Sequence, residues 1–201
     1  ANKSHDDYFE QFSTELTEEC NLPKDSLYKM RLQKMVSPVH LPYNSVVRQY
    51  IDYYLENKWS PMSRVIALSK FYFPIFEQEL INAGLPVELR TLAIIESNLN
   101  PTVTSRVGAV GLWQFMPSTG KNLGLEINSL VDERCDIVLS TRAACSFLKY
   151  LYNTFGDWAL ALAAYNAGPG RISRALARAG NAKTYWDIYY DLNAETRGYV
   201  P

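Results

Sequence analysis

The chain has 201 residues, of which 47% are hydrophobic and 20% charged, and its formal net charge is -1. That length suffices for one well-buried domain, and the near-neutral charge lacks the basic footprint of a nucleic-acid-binding protein. The three cysteines show no CxxC spacing and the two histidines lie far apart, which argues against a zinc site and a Ser-His-Asp triad. No apolar run of about 18 residues occurs, so we expect no membrane-spanning helix in this chain.

In the first half of the chain the sequence predicts three helical segments, and their hydrophobic periodicity becomes clearer from Asn44 onward. Prolines interrupt residues 1 to 42, for which we predict a partly helical wrapping segment whose first apolar face is Phe9, Phe12 and Leu16. An amphipathic helix follows, with Asn44 or Ser45 as its N-cap. A longer helix is predicted from position 63 to a left-handed cap at Gly84. Its predicted inner face carries Ile66, Phe73, Phe76 and Leu80.

The next predicted helix carries a glutamate on its apolar stripe. It starts at Pro86, and Glu96 shares one face with Leu89, Leu92 and Ala93. Burial there should raise the pKa of Glu96 until the side chain is protonated part of the time near neutrality. A protonated glutamate in a cleft can act as a general acid. The alternative is a structural glutamate that pairs with Arg90 or Arg106.

Beyond this helix the pattern predicts a loop and then a long central helix. Gly108 and Gly111 indicate a close approach of the loop backbone, and residues 112–116 predict a short helical turn. A helix then starts at Pro117. Asp132 is the predicted cap of the central helix, which ends at Gly156. Its predicted buried stripe is Ile137, Val138, Thr141, Ala144, Cys145, Leu148 and Tyr152.

Three shorter helices complete the predicted order. Asp157 caps the first, which stops at Gly168. The second runs from 171 to 179, and its predicted inner residues are Ile172, Ala175, Leu176 and Ala179. The third starts at Ala194 and continues to Val200. Because no cluster of alternating β-branched runs occurs, the sequence predicts a mainly α fold.

Three short motifs follow the glutamate. Gly111-Leu112-Trp113-Gln114 sets an amide beside a tryptophan, which suits the binding of an N-acetyl sugar. Ala164-Tyr165-Asn166-Ala167-Gly168 places a phenol and an amide at a helix end among small residues, where a polymer can approach the backbone. Tyr199, within Glu195-Thr196-Arg197-Gly198-Tyr199-Val200, is a third candidate.

Together with Glu96-Ser97, these motifs resemble those of the lytic murein transglycosylases over roughly residues 85 to 200. The resemblance implies a lysozyme-like helical domain of the goose-type and soluble lytic transglycosylase kind. It makes Glu96 the only catalytic acid and base, and it requires no metal or cofactor. The substrate contacts that it implies are Ser105, Gln114, Met116, Tyr165, Asn166 and Tyr199.

The resemblance also implies an organisation and a location. The segment from Asn44 to Tyr54 resembles the region before this domain in a membrane-bound branch of the family. We expect an N-terminal helical extension over residues 1–83, packed on a catalytic domain over residues 84–201. The implied partner is the glycan strand of peptidoglycan, and we expect no nucleic-acid partner. A periplasmic or outer-membrane-anchored protein is implied, with any lipid anchor on a segment outside this chain.

One absence bears on the reaction. No Asp or Glu occurs between Glu96 and Glu126, where lysozyme-like folds usually supply a second carboxylate. Non-hydrolytic cleavage dispenses with that group, because the C6 hydroxyl of the muramic acid can attack C1 and give a 1,6-anhydro end. Two alternatives stay open. A hydrolytic goose-type muramidase would need a second acid such as Glu126 or Asp132, and a peptidoglycan-binding module would need no catalysis.

The stretch from Trp158 to Trp186 contains no acidic residue, and its Arg171, Arg174 and Arg178 share one helical face. We interpret these arginines as a solvated basic face. Binding to anionic stem peptides or to a lipid surface is the alternative.

Overall fold

In the computed structural model, residues 22–57 and 59–201 are described, and the pattern predicted at Phe9 to Leu16 lies outside them. The described residues are helical and contain no β-strand, which confirms the mainly α fold. Helices α1 to α9 are, in order, Lys24–Lys34, Ser45–Asn57, Trp59–Ala83, Leu92–Ser97, Pro117–Asn122, Ile137–Phe155, Trp158–Ala167, Pro169–Arg178 and Ala194–Arg197. Short 3-10 turns occupy Val87–Thr91, Glu133–Cys135 and Tyr189–Asp191.

Helix α6 is the centre of the fold, with α3 and α7 packed against it. Its buried residues include most of the predicted stripe, but Tyr152 is exposed and Leu151 is buried instead. Asp136, not Asp132, caps this helix, because its side chain accepts the Leu139 N–H at 2.7 Å. Asp132 caps the preceding 3-10 turn, which separates it from the helix proper.

Helix α3 starts at Trp59, earlier than predicted, and its predicted inner face is confirmed at Phe76 and Leu80, which are fully buried. Ile66 is 50% exposed, so its predicted burial is wrong, and Val65 faces the core instead. The remaining buried positions on this helix are Tyr72, Phe76 and Leu80. Gly84 closes the helix at φ 69°, which confirms the predicted left-handed cap.

Several predicted boundaries hold because a local hydrogen bond sets them. Asn44 caps α2, since its Oδ1 accepts the N–H groups of Val46 and Val47 at 3.0 Å each. Asp157 caps α7 by accepting the Leu160 N–H at 2.8 Å.

Other predicted boundaries are wrong. Helix α9 ends at Arg197 instead of continuing to Val200, and α8 ends at Arg178, so that Ala179 is exposed. Residues 112–116 form a non-helical turn, because Gln114 adopts φ 48°. None of the helices in the described residues is long and apolar enough to cross a membrane.

The two loop glycines differ. A Cβ on Gly111 would lie 2.0 Å from the backbone oxygen of Arg134, so the predicted close approach occurs within the protein itself. A Cβ on Gly108 would meet nothing within 4 Å, and glycine is favoured there because the backbone adopts φ 90°.

Candidate active site

The turn Val87–Thr91 and helix α4 present Glu96 at the end of a short helical segment. Leu89, Leu92 and Ala93 are buried on the same face, and Glu96 is half-buried. The helix stops directly after it, because Asn98 at φ 50° and Leu99 at φ 60° adopt left-handed conformations. Such a conformation costs a non-glycine residue about 1–2 kcal/mol. Burial of the Leu99 side chain, which is 1% exposed, offsets this strain.

A buried serine ties the glutamate helix to the opposite turn. Ser97 Oγ lies 2.9 Å from the Ala93 carbonyl oxygen and 3.0 Å from that of Leu112. The neighbouring Trp113 is fully buried, and its Nε1–H donates to Thr141 Oγ1 of α6 at 3.0 Å. These contacts fix the 111–116 turn against both α4 and the central helix.

The immediate partner of Glu96 is a phenol. The Tyr199 hydroxyl donates to Glu96 Oε1. Burial raises the pKa of Glu96 from its ordinary 4.5 to about 7, the Tyr199 hydrogen bond partly opposes this shift, and the charge of Glu195 adds to it. The predicted rise in pKa is therefore confirmed. In the described residues Glu96 has no ion-pair partner and Arg90 pairs with Glu77, so the alternative pairing of Glu96 with Arg90 or Arg106 does not occur.

Tyr165 lies close to the glutamate but bonds elsewhere. Its hydroxyl donates to the Trp113 carbonyl oxygen at 2.8 Å. Burial first, and then the charge of Glu96, raises the pKa of Tyr165 well above its usual value. The two tyrosines thus play different parts, since Tyr199 bonds the carboxylate and Tyr165 fixes the turn beside it.

Glu96 opens into a cleft of about 700 Å³. The structure brings all of the predicted contact residues to its lining, namely Ser105, Gln114, Met116, Tyr165, Asn166 and Tyr199. Exposed apolar side chains of Ile95 and Val107 also border it. The mixture of apolar walls and a few polar groups is typical of a ligand-binding site.

Two of the polar lining groups have defined roles as donor or acceptor. Gln114 Nε2 donates to the carbonyl oxygens of Gly111 at 2.8 Å and of Val103 at 3.2 Å. Since both amide protons are used, its Oε1 remains to accept a bond from a ligand. Ser105 Oγ accepts the Ala109 N–H at 2.9 Å, so its own proton can be donated into the cleft.

A buried arginine that the sequence did not single out supports this wall. Arg134 donates to the carbonyl oxygens of Gly108 at 3.0 Å and Phe115 at 2.9 Å. Its Nε and Nη2 also bond both carboxylate oxygens of Asp132, at 2.9 and 2.7 Å. One guanidinium therefore joins two points, Gly108 and Phe115, of the loop that carries Ser105 and Gln114. The Asp-x-Arg spacing was the available signal, but it does not show which carbonyls lie within reach.

A second carboxylate, which the sequence analysis did not assign to the site, lines the cleft. Glu195 is exposed on α9 and accepts the Asn166 Nδ2–H at 3.4 Å. Asn166 Oδ1 accepts the buried Thr196 hydroxyl at 2.8 Å, so Asn166 joins α7 to α9. Glu126 and Asp132, the acids considered for a hydrolase, do not line the cleft. No cluster of three or more metal-binding side chains occurs in the described part of the chain.

Comparison with known proteins assigns this chain to a family. The family model of the transglycosylase SLT domain matches residues 73–188, and the chain belongs to this family. Among its relatives, membrane-bound lytic murein transglycosylase D of Escherichia coli K12 is 38% identical over 166 residues, which cover 80% of this chain and 36% of the relative. The soluble lytic murein transglycosylase of Salmonella typhimurium is 38% identical over 112 residues, 52% of this chain and 17% of the relative.

Solved structures of lytic transglycosylases share the fold of this chain. The 70 kDa soluble lytic transglycosylase SLT70 of E. coli superimposes with a TM-score of 0.57 at 30% identity, covering 76% of this chain and 28% of the other. An inactive glutamate-to-glutamine mutant of lytic transglycosylase Slt from Pseudomonas aeruginosa gives a TM-score of 0.53 at 28% identity, covering 63% and 22%. The fold is therefore lysozyme-like, as expected. The chain spans about a third of the length of the first relative.

Proposed function

We propose that this chain is a peptidoglycan lytic transglycosylase that cleaves the β-1,4 bond between MurNAc and GlcNAc without water. The observation that carries the proposal is Glu96, half-buried in a cleft, bonded by Tyr199 and with its pKa raised to about 7. The names of the two relatives described above, both lytic murein transglycosylases, support the substrate.

In the proposed reaction Glu96 acts twice. Its protonated form donates to the glycosidic oxygen as the bond from that oxygen to C1 of MurNAc breaks. The resulting carboxylate accepts the proton of the C6 hydroxyl, whose oxygen bonds to C1 and closes the 1,6-anhydro ring. Tyr199 stabilises the charged form between the two steps, because its hydroxyl donates to Oε1. A pKa of about 7 suits a group that must give and take a proton near neutrality.

Glu195 keeps a hydrolytic muramidase as a second candidate. Hydrolases of this type use a second carboxylate to activate water or as a nucleophile, and Glu195 lines the same cleft. Its exposure and its bond to Asn166 fit better with a role in holding α9. We therefore rank hydrolysis below the non-hydrolytic reaction.

The deciding experiment incubates the protein with purified peptidoglycan sacculi and analyses the soluble products by mass spectrometry. Muropeptides lighter by the mass of one water than the hydrolytic products would support the transglycosylase. Products of full mass with reducing ends would support the muramidase. Binding without release would leave only the third possibility, a peptidoglycan-binding module.

The organisation and location belong to the same proposal. We place a helical extension before residue 84 and a catalytic domain over residues 84–201; for the described residues, the contact of Phe76 with Trp113 at a ring-centroid distance of 5.2 Å supports the packing of the one on the other. The substrate places the protein in the cell envelope, in the periplasm or at the outer membrane.

A further inference from the structure

The cleft and the helix beside it carry opposite charges. Glu195 and the acid Glu96, which is charged only in part near pH 7, line the cleft, and no lysine or arginine is among its lining residues in the described chain. Such a cleft can accept an uncharged sugar chain. Anionic groups attached to that chain are repelled from the cleft and are favoured next to cations outside it.

Helix α8 begins at the wall of this cleft. Gly168 and Pro169 line the cleft, and α8 runs from Pro169 to Arg178. Ile172 and Ala175 are buried and hold the helix against the fold. The opposite side carries the basic strip, which we define as the three exposed residues Arg171, Arg174 and Arg178.

The positive charges of this strip have no acidic partner among the described residues. Within residues 22–57 and 59–201, none of the three arginines has a carboxylate within ion-pair distance. Other arginines do have such partners, as Arg142 has in Glu79 and Arg90 in Glu77. Like charges at i and i+3 on a helix repel one another, so an anionic partner would relieve that repulsion.

We propose that the basic strip binds the carboxylate-bearing stem peptides of the glycan strand whose sugars occupy the cleft, an inference that rests on the proposed function. The length of the strip suits a short extended peptide, since Arg171 and Arg178 are about 10 Å apart along the helix. An extended peptide of about four residues spans at most about 14 Å. A stem peptide leaving the cleft at Pro169 would therefore run along the whole strip.

The charge of the whole chain favours a short peptide over a membrane surface. The formal net charge is -1 although the strip itself carries three positive charges. A flat anionic bilayer would bring its charge near the acidic parts of the chain as well. A peptide can contact the strip alone.

The test measures binding to surface-immobilised glycan strands, either with stem peptides or with the peptides removed by an amidase. All proteins carry Glu96→Gln, so that the strands stay intact. The test variant adds Arg171→Glu, Arg174→Glu and Arg178→Glu. The matched control adds Lys29→Glu, Arg64→Glu and Lys70→Glu, which change the same charge at exposed positions of α1 and α3. A third variant replaces the three strip arginines with glutamine, which has a similar helix propensity and guards against misfolding.

We expect the strip variants to bind peptide-bearing strands about tenfold more weakly than the control, and to bind peptide-free strands equally well. Salt at about 1 M should abolish the difference, because it screens exposed charges beyond about 3 Å. The proposal would be overturned if the strip variants lost equal affinity for peptide-bearing and peptide-free strands. It would also be overturned if the control variant lost as much affinity as the strip variants. So would arginine-dependent binding to vesicles of anionic phospholipid that matches the binding to peptide-bearing strands.

The binding readout separates this inference from the proposed function. If the unmutated protein releases no products from sacculi but the strip still distinguishes the two strands, the proposed reaction fails and the peptide surface stands. If products form but the strip variants bind both strands like the control, the reaction stands and the peptide surface fails.

Discussion

Two glutamates line one cleft and differ in what surrounds them. Glu96 is half-buried, accepts the Tyr199 hydroxyl, and has a pKa raised by burial to about 7. Glu195 is exposed on α9 and accepts a long hydrogen bond from Asn166. Glu96 can thus donate a proton near neutrality, whereas Glu195 is exposed to solvent. Environment, and not residue type, distinguishes the proposed catalytic group.

The two walls are also held differently. The wall of Glu96 is fixed by buried groups, namely Ser97, Trp113 and Arg134. The wall of Glu195 is a four-residue helix, Ala194–Arg197, held by the pair of Thr196 and Asn166. Substitutions in the first wall should therefore have the larger effects.

The largest effect is expected for Glu96→Gln. Removing the acid should lower product release from sacculi by at least about 10³-fold, within the range for general acid-base catalysis. Glutamine keeps the shape and can still accept the Tyr199 hydroxyl, so the fold should persist. The matched control is Glu195→Gln, which should keep activity within about threefold. Comparable losses in the two variants would remove the distinction between the glutamates.

Arg134→Met tests the frame of the first wall. It leaves two carbonyl oxygens and Asp132 without their donor, and we expect a loss of about 2–4 kcal/mol in the free energy of unfolding. Urea denaturation measures it. In the control Lys24→Met, the lost ion pair with Glu56 joins side chains that are 60% and 62% exposed, so the loss should stay below about 1 kcal/mol. Equal losses would mean that the Arg134 network does not stabilise the wall.

Glu96→Gln should also change how stability depends on pH. The folded-state pKa of about 7 lies above the ordinary 4.5, so the contribution of Glu96 to stability is fully present below pH 4.5 and is lost as the pH rises through 7. Glutamine avoids the buried charge. At pH 8 the variant should exceed the wild type by about 1–3 kcal/mol, and at pH 4 the two should agree. Thermal unfolding at both values decides, and a difference independent of pH would contradict the buried-acid assignment.

Tyr199→Phe should move the activity profile to higher pH. The hydroxyl holds the pKa of Glu96 down, so its removal raises that pKa further above 7. The protonated acid then persists to higher pH, and the alkaline fall of the rate shifts upward. A pH-rate profile on soluble glycan fragments measures the shift. Tyr190→Phe, at a tyrosine that is 83% exposed, serves as the control and should leave the profile unchanged.

The smallest effect is a shift in the opposite direction for Glu195→Gln. The charge of Glu195 raises the pKa of Glu96, although less than burial does. Neutralising it should move the alkaline limb to lower pH. Opposite shifts in the two variants would establish that both groups act on one titrating acid. A shift in the same direction would contradict this arrangement.

Much of the local structure could be predicted, because short-range hydrogen bonds and backbone conformation set it. Asn44, Gly84 and Asp157 end or begin helices as their chemistry predicts. Predictions of inward faces were weaker. Ile66 is exposed while Val65 is buried. Both residues are apolar, so the sequence pattern does not show which of them faces the core, and the packing of the neighbouring helices decides.

The sequence by itself determined the mainly α class, the placement of Glu96 on an apolar stripe, and hence the upward direction of its pKa shift. Only the tertiary structure decided which groups surround that acid. Tyr199 bonds Glu96 from 103 positions away, Glu195 enters the cleft on a late helix, and Arg134 bonds two carbonyl groups of a distant loop. Helix periodicity and caps act over a few residues and can be predicted from spacing, whereas these contacts exist only because packing around α6 brings remote segments together.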